Sequence, residues 1–88
     1  MIERTVGIVN ELGLHARPAA EFVKTAGRFA CAVTVRKDGM EVNGKSIMGM
    51  MMLAAEMGSE LVLIADGDDA EAALDALEAL VKAGFGEM

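Results

Sequence analysis

Runs that alternate between apolar and polar positions mark the strands of this chain, and runs with apolar residues three and four apart mark its helices. Glu3 to Val9 places Val6 and Ile8 on one side and Thr5 on the other, which predicts a short half-buried strand. From Pro18 to Ala26 the spacing changes: Ala19, Phe22, Val23 and Ala26 fall on one helical stripe, with Glu21, Lys24 and Thr25 elsewhere. Proline suits a first helical turn because the amide it lacks would have no partner there. The helix is therefore predicted to start at Pro18, with Gly27 as terminator. Cys31 to Arg36 alternates again, Val33 and Val35 against Thr34 and Arg36, and Asp38-Gly39 is a hairpin signal joining this strand to Met40-Glu41-Val42.

Asn43-Gly44 ends that pairing and Ser46 has the side chain of a helix N-cap. The short helix that follows holds Ile47, Met48, Met50, Met51, Met52 and Leu53 and is apolar nearly all round. A domain this small cannot bury all of it, so part is expected to be exposed as a docking patch, with Met50 and Leu53 turned into the core. Glu60 to Ala65 carries Leu61, Val62, Leu63 and Ile64 in succession, which predicts a central strand apolar on both faces. After the turn Asp66-Gly67-Asp68-Asp69, Asp68 and Glu71 are spaced as a capping box. The last helix is predicted over residues 70–83, with Leu74, Leu77 and Val81 on one stripe and Gly84 as its cap. The order β-α-β-β-α-β-α predicts an α+β fold, an open-faced sandwich of one sheet with the helices on a single face.

Composition narrows this further. At 88 residues the chain is expected to form a single domain, 1–88, with one modest core. With no Trp or Tyr and only three Phe, that core must be built from Val, Leu, Ile, Ala and Met. A formal net charge of −6 argues against general nucleic-acid binding, which needs clustered Lys and Arg, and favours steering towards basic partner surfaces. The one cysteine, Cys31, has no partner for an internal disulfide and reads as a small buried hydrophobe. No signal-like segment or membrane-length apolar run is present, so the expected setting is the cytoplasm without membrane insertion.

The candidate chemistry lies in Gly13-Leu14-His15-Ala16-Arg17-Pro18-Ala19-Ala20, which holds the only histidine and the only proline. His15 and Arg17 are placed at or just before the N-cap, where backbone amides such as that of Ala16 and the positive end of the helix dipole favour an anion. An imidazole there can act as a nucleophile, and a guanidinium two residues on can neutralise phosphoryl oxygens. A lone histidine is more often a cap, a surface residue or a satisfied core residue. The combination of His, Arg and Pro within four residues is more chemistry than a cap needs, because Ser, Thr, Asp or Asn usually serve.

That segment resembles the active-site signature of HPr, the histidine-containing phosphocarrier family of the bacterial phosphoenolpyruvate-dependent phosphotransferase system. Asn43-Gly44-Lys45-Ser46-Ile47-Met48-Gly49 is similar to the family's second signature, around its regulatory serine, and the likeness covers essentially the whole chain. The resemblance implies a four-stranded antiparallel sheet with three helices. It implies that His15 receives a phosphoryl group through Nδ1 from phosphorylated Enzyme I and passes it to a IIA-type domain in sugar uptake, with Arg17 and the Ala16 amide offsetting its charge. It also implies partner contacts at Ala20, Ile47, Met48 and Met51, and Ser46 as the target of an ATP-dependent HPr serine kinase/phosphorylase. A carrier of this kind is itself the substrate, needs no metal or other cofactor, and is expected to be a monomer, since donor and acceptor use the same face in turn.

Two alternatives stay open. Leu12 stands where many sugar-type members carry a small polar residue, so no polar contact from that position is expected. Asn10 to His15 and the ending from Leu80 to Glu87 are similar to the nitrogen-related branch, which relays phosphate to regulators. A non-catalytic docking module, using the Met-rich helix and keeping His15 only as a cap, is the other.

Overall fold

A computed structural model describes residues 1–87. Strand β1 (Ile2–Gly7) leads to helix α1 (Ala16–Ala26), the hairpin β2 (Ala32–Lys37) and β3 (Met40–Asn43), helix α2 (Ile47–Met52), strand β4 (Glu60–Asp66) and helix α3 (Ala70–Lys82), with a 3-10 turn at Gly84–Gly86. The four strands form one antiparallel sheet in the order β1-β4-β2-β3, and the three helices cover one face. The order of elements and the fold class therefore agree with the hydrophobic pattern.

The register explains the core. On the covered face Val6 lies opposite Leu61, Leu63 opposite Val35, and Ala65 opposite Val33, and all six are buried. Phe22 from α1, Met50 from α2, and Leu74, Leu77 and Val81 from α3 close over them. Each fully buried Leu or Phe side chain contributes about 1.5–3 kcal/mol. β4 is central, as its apolar run predicts, and Ile64 on its other face is nearly covered as well. At the hairpin, Asp38 and Gly39 both adopt left-handed backbone, φ 50° and 83°, the conformation that a two-residue loop between twisted strands requires.

Three local expectations are corrected. The first strand ends at Gly7, although Ile8 stays buried: its amide donates to the Ser59 carbonyl (2.9 Å) and its carbonyl accepts from Gly58 (2.8 Å), outside the regular ladder. Leu53 caps α2 instead of lying within it, and is buried as expected. The Asp68–Glu71 capping box does not form. Asp69 is the N-cap of α3, and its carboxylate serves the neighbouring chain, accepting from the amides of Ala30 (2.7 Å) and Cys31 (2.9 Å).

Those backbone bonds, that from Ala30 foremost, hold the Asp69 carboxyl below the usual carboxylate range. Burial, and then the Asp69 carboxylate, push the Cys31 thiol up, so it stays protonated and unreactive. Because the folded value of Asp69 lies below the unfolded one, its contribution to stability is present above about pH 4 and fades as pH falls through the folded value. Asp69→Asn is therefore expected to melt lower than the native chain at pH 7, and the gap to close in thermal melts as pH falls through the lowered folded value. A gap that persists unchanged at acid pH would refute this role.

Arg4 ties β1 to α3 through Asp75 and Glu78. Among the described residues no helix is long and apolar enough to cross a membrane.

Candidate functional site

The N-terminus of α1 is where the candidate residues meet. The helix begins at Ala16, two residues before the predicted start, with His15 as N-cap in extended conformation (φ −84°, ψ −168°). Arg17 is consequently the second helical residue and Pro18 the third. Proline is tolerated one turn in for the same reason as at the first position: the partner of its missing amide would lie outside the helix.

This start leaves a defined set of free donors. A helix begins with four amides that have no intrahelical partner. Here the His15 amide donates to the Gly13 carbonyl (3.1 Å) and Pro18 has none to offer, while the Ala19 amide closes the first turn on the His15 carbonyl (3.0 Å). Ala16 and Arg17 remain, with no backbone acceptor among the described residues. Two open amides and the positive end of an eleven-residue helix thus stand beside the imidazole.

The His15 ring is 37% exposed in its side chain and makes no capping bond. Its Nε2 lies 2.8 Å from Oε2 of Glu87. A carboxylate only accepts, so Nε2 carries hydrogen and, in the neutral ring, Nδ1 carries the lone pair. No hydrogen bond engages Nδ1 among the described residues. The other Glu87 oxygen accepts from Nδ2 of Asn10 (2.9 Å), which also donates to the Gly13 carbonyl (2.8 Å). Asn10 is 1% exposed, and its two acceptors fix which way its amide points.

Arg17 is exposed and makes no ion pair among the described residues. Its side chain lines a shallow cavity of about 390 Å³ with Glu11, Leu12, Phe85, Gly86 and Glu87. A larger hollow, about 480 Å³ over β2 and β3, lies away from His15 and brings no imidazole or thiol. Among the described residues no group of three or more His, Cys, Asp or Glu could hold a metal ion.

The remaining predicted positions lie on α1 and α2, which pack side by side. Ala20 is half-buried; Ile47, Met48 and Met51 are exposed, Met48 by 76%, whereas Met50 is fully buried. Met52 and Leu12 are exposed too, although neither was singled out as a partner position. Ser46 caps α2, its Oγ accepting from the Gly49 amide at 3.0 Å. The sequence reading missed Asn10 and Glu87 as site residues. Their pairing spans 77 positions, and only the Gly-Phe-Gly spacing before Glu87 signals that the chain turns there.

Fold and site together define a small carrier domain of the open-faced α+β sandwich class. The family model for the PTS HPr component phosphorylation site matches residues 2–83, and the chain belongs to this family, the HPr phosphocarriers of the phosphotransferase system. It is 48% identical over 87 residues to the phosphocarrier protein HPr of Cupriavidus necator, covering 99% of this chain and 98% of that one. The crystal structure of HPr-C-His from Thermoanaerobacter tengcongensis superposes with a TM-score of 0.96 at 50% identity, covering 100% of this chain and 99% of that chain. A crystal structure of Crh, the catabolite repression protein of Bacillus subtilis, described as a swapped-domain dimer, matches with a TM-score of 0.75 at 49% identity over 93% of this chain and 94% of that chain.

Proposed function

We propose that His15 accepts a phosphoryl group on Nδ1 from phosphorylated Enzyme I and passes it to a histidine of a IIA-type domain, as a cytoplasmic monomer. The observation that carries this reading is Nδ1 and the two amides of Ala16 and Arg17, all without a hydrogen-bond partner among the described residues, at one helix start. Phosphoryl transfer asks mainly for positioning and for charge that offsets the moving oxygens. In the step, the Nδ1 lone pair forms a bond to phosphorus as the bond from phosphorus to the donor nitrogen breaks, and the donor nitrogen keeps the electron pair. Arg17 and the two amides offset the oxygens' charge. The same step in reverse direction delivers the group to the acceptor. The test is intact mass after incubation with phosphoenolpyruvate, magnesium and Enzyme I, before and after brief acid treatment. One acid-labile phosphoryl addition supports the carrier; no addition, with Enzyme I shown to be phosphorylated, rules it out.

The exposed Ile47, Met48 and Met51 supply the docking patch, since unbranched thioethers repack against different partner surfaces. Met48→Glu is expected to weaken binding to Enzyme I about tenfold or more by titration calorimetry, without changing the His15 ring. An unchanged affinity would remove Met48 from the interface. Ser46 joins this patch as a regulatory position: phosphate on its Oγ would add charge beside apolar residues and weaken docking.

A further inference from the structure

We infer that Glu87 is a positioning residue for His15: its carboxylate, itself held by the buried Asn10 amide, keeps the proton on Nε2 and so makes Nδ1 the atom left to react. This inference rests on the phosphocarrier reading above. Three contacts in series carry it, Gly13 carbonyl to Asn10 (2.8 Å), Asn10 to Glu87 (2.9 Å) and Glu87 to His15 (2.8 Å).

The C-terminal turn is built to deliver that carboxylate. Gly84, Phe85 and Gly86 all take left-handed backbone, φ 64°, 57° and 79°. Phe85 is a side chain that avoids this conformation unless something compensates, and here its ring is buried in the core cluster. The ring anchors the turn, and the Glu87 amide closes it on the Gly84 carbonyl (2.9 Å). Glu87 is thereby returned to the start of α1, where its side chain is 19% exposed.

The chemistry gives the carboxylate two consequences. Before transfer it fixes the tautomer, as orienting partners of functional imidazoles commonly do. After transfer, with phosphorus on Nδ1 and hydrogen still on Nε2, the ring carries a positive charge, and the carboxylate 2.8 Å away offsets it. When the group moves on, the nitrogen-phosphorus bond breaks towards a neutral imidazole, and the Nε2 proton has stayed in place throughout.

The test uses Glu87→Ala in the full chain, a substitution outside the core. Ring ¹⁵N chemical shifts, recorded at a pH where the imidazole is neutral, report the tautomer. The native ring is expected to hold its hydrogen on Nε2 alone, and the variant to show a mixture of both tautomers. The rate of phosphoryl uptake from phosphorylated Enzyme I is expected to fall about 10- to 100-fold, by analogy with the loss that follows removal of the partner orienting a metal-bound imidazole. An unchanged tautomer overturns the inference whatever the rate does, and so does a changed tautomer with native uptake. Failure of the native chain to take up any phosphoryl group is a different result: it overturns the carrier reading, and the positioning role with it.

Discussion

His15→Ala is expected to take up no phosphoryl group while melting within about 4 °C of the native chain. The loss is complete because the nucleophile is gone and no second histidine exists in the sequence. The fold survives because the His15 side chain makes no capping bond to α1, so the cost of about 1 kcal/mol that follows loss of a true cap does not arise. Its backbone bonds to Gly13 and Ala19 do not depend on the ring. Intact mass after incubation with phosphoenolpyruvate, magnesium and Enzyme I checks the first half, and a thermal melt the second. The variant also separates a carrier from a docking module: it should still bind Enzyme I through α2, since Met48 and Met51 are untouched. An acid-labile addition that survives the substitution would place the nucleophile elsewhere and sink the assignment to His15.

Much of the fold was legible because each element carries its own periodic signal. β4 announced its central place through four successive apolar residues, and α3 its buried face through Leu74, Leu77 and Val81. The errors fell where a tertiary partner overrides the local rule. Asp68 and Glu71 have capping-box spacing, yet Asp69, one residue on, occupies the cap while its carboxylate satisfies two amides from the loop before β2. α1 starts two residues before Pro18 because any position in the first turn, not the first alone, spares proline's missing amide.

At the site, local sequence placed the imidazole and the guanidinium but could not reach their surroundings. His15, Ala16 and Arg17 are contiguous, so helix geometry alone brings them to one end. Glu87 is 72 positions from His15, and nothing in the spacing of either predicts the contact. What sequence offered was the Gly84-Phe85-Gly86 turn signal, which marks a change of direction without saying where the chain goes. Likewise nothing in the residues around Asn10 marks it as part of the site. Its burial, and its role between Gly13 and Glu87, depend on the closure of the whole domain.

Gly13→Ala is expected to damage both stability and phosphoryl uptake, in contrast to His15→Ala, which spares the fold. Gly13 has φ 69°, and a Cβ there would run into the Ala55 carbonyl oxygen and approach the Glu56 Cα to 3.1 Å. The left-handed backbone costs an alanine about 1–2 kcal/mol and the displaced backbone about 1–3 kcal/mol more. Together these lower the melting temperature by about 10 °C or more in a domain of this size. The obstructed oxygen is the one that accepts the Leu14 amide at 2.9 Å, so relief of the clash must move the segment that carries His15 away from the stretch after α2. The Gly13 carbonyl also holds Asn10 and the His15 amide, so the same shift disturbs the Glu87 contact. Gly39→Ala is the control: φ is 83° but a Cβ meets open space, so it should carry the conformational cost alone and leave uptake unchanged. Should Gly13→Ala melt no lower than Gly39→Ala, the close approach to Ala55 would not be what fixes the start of α1, and the rigidity of the site would have to come from the C-terminal turn instead.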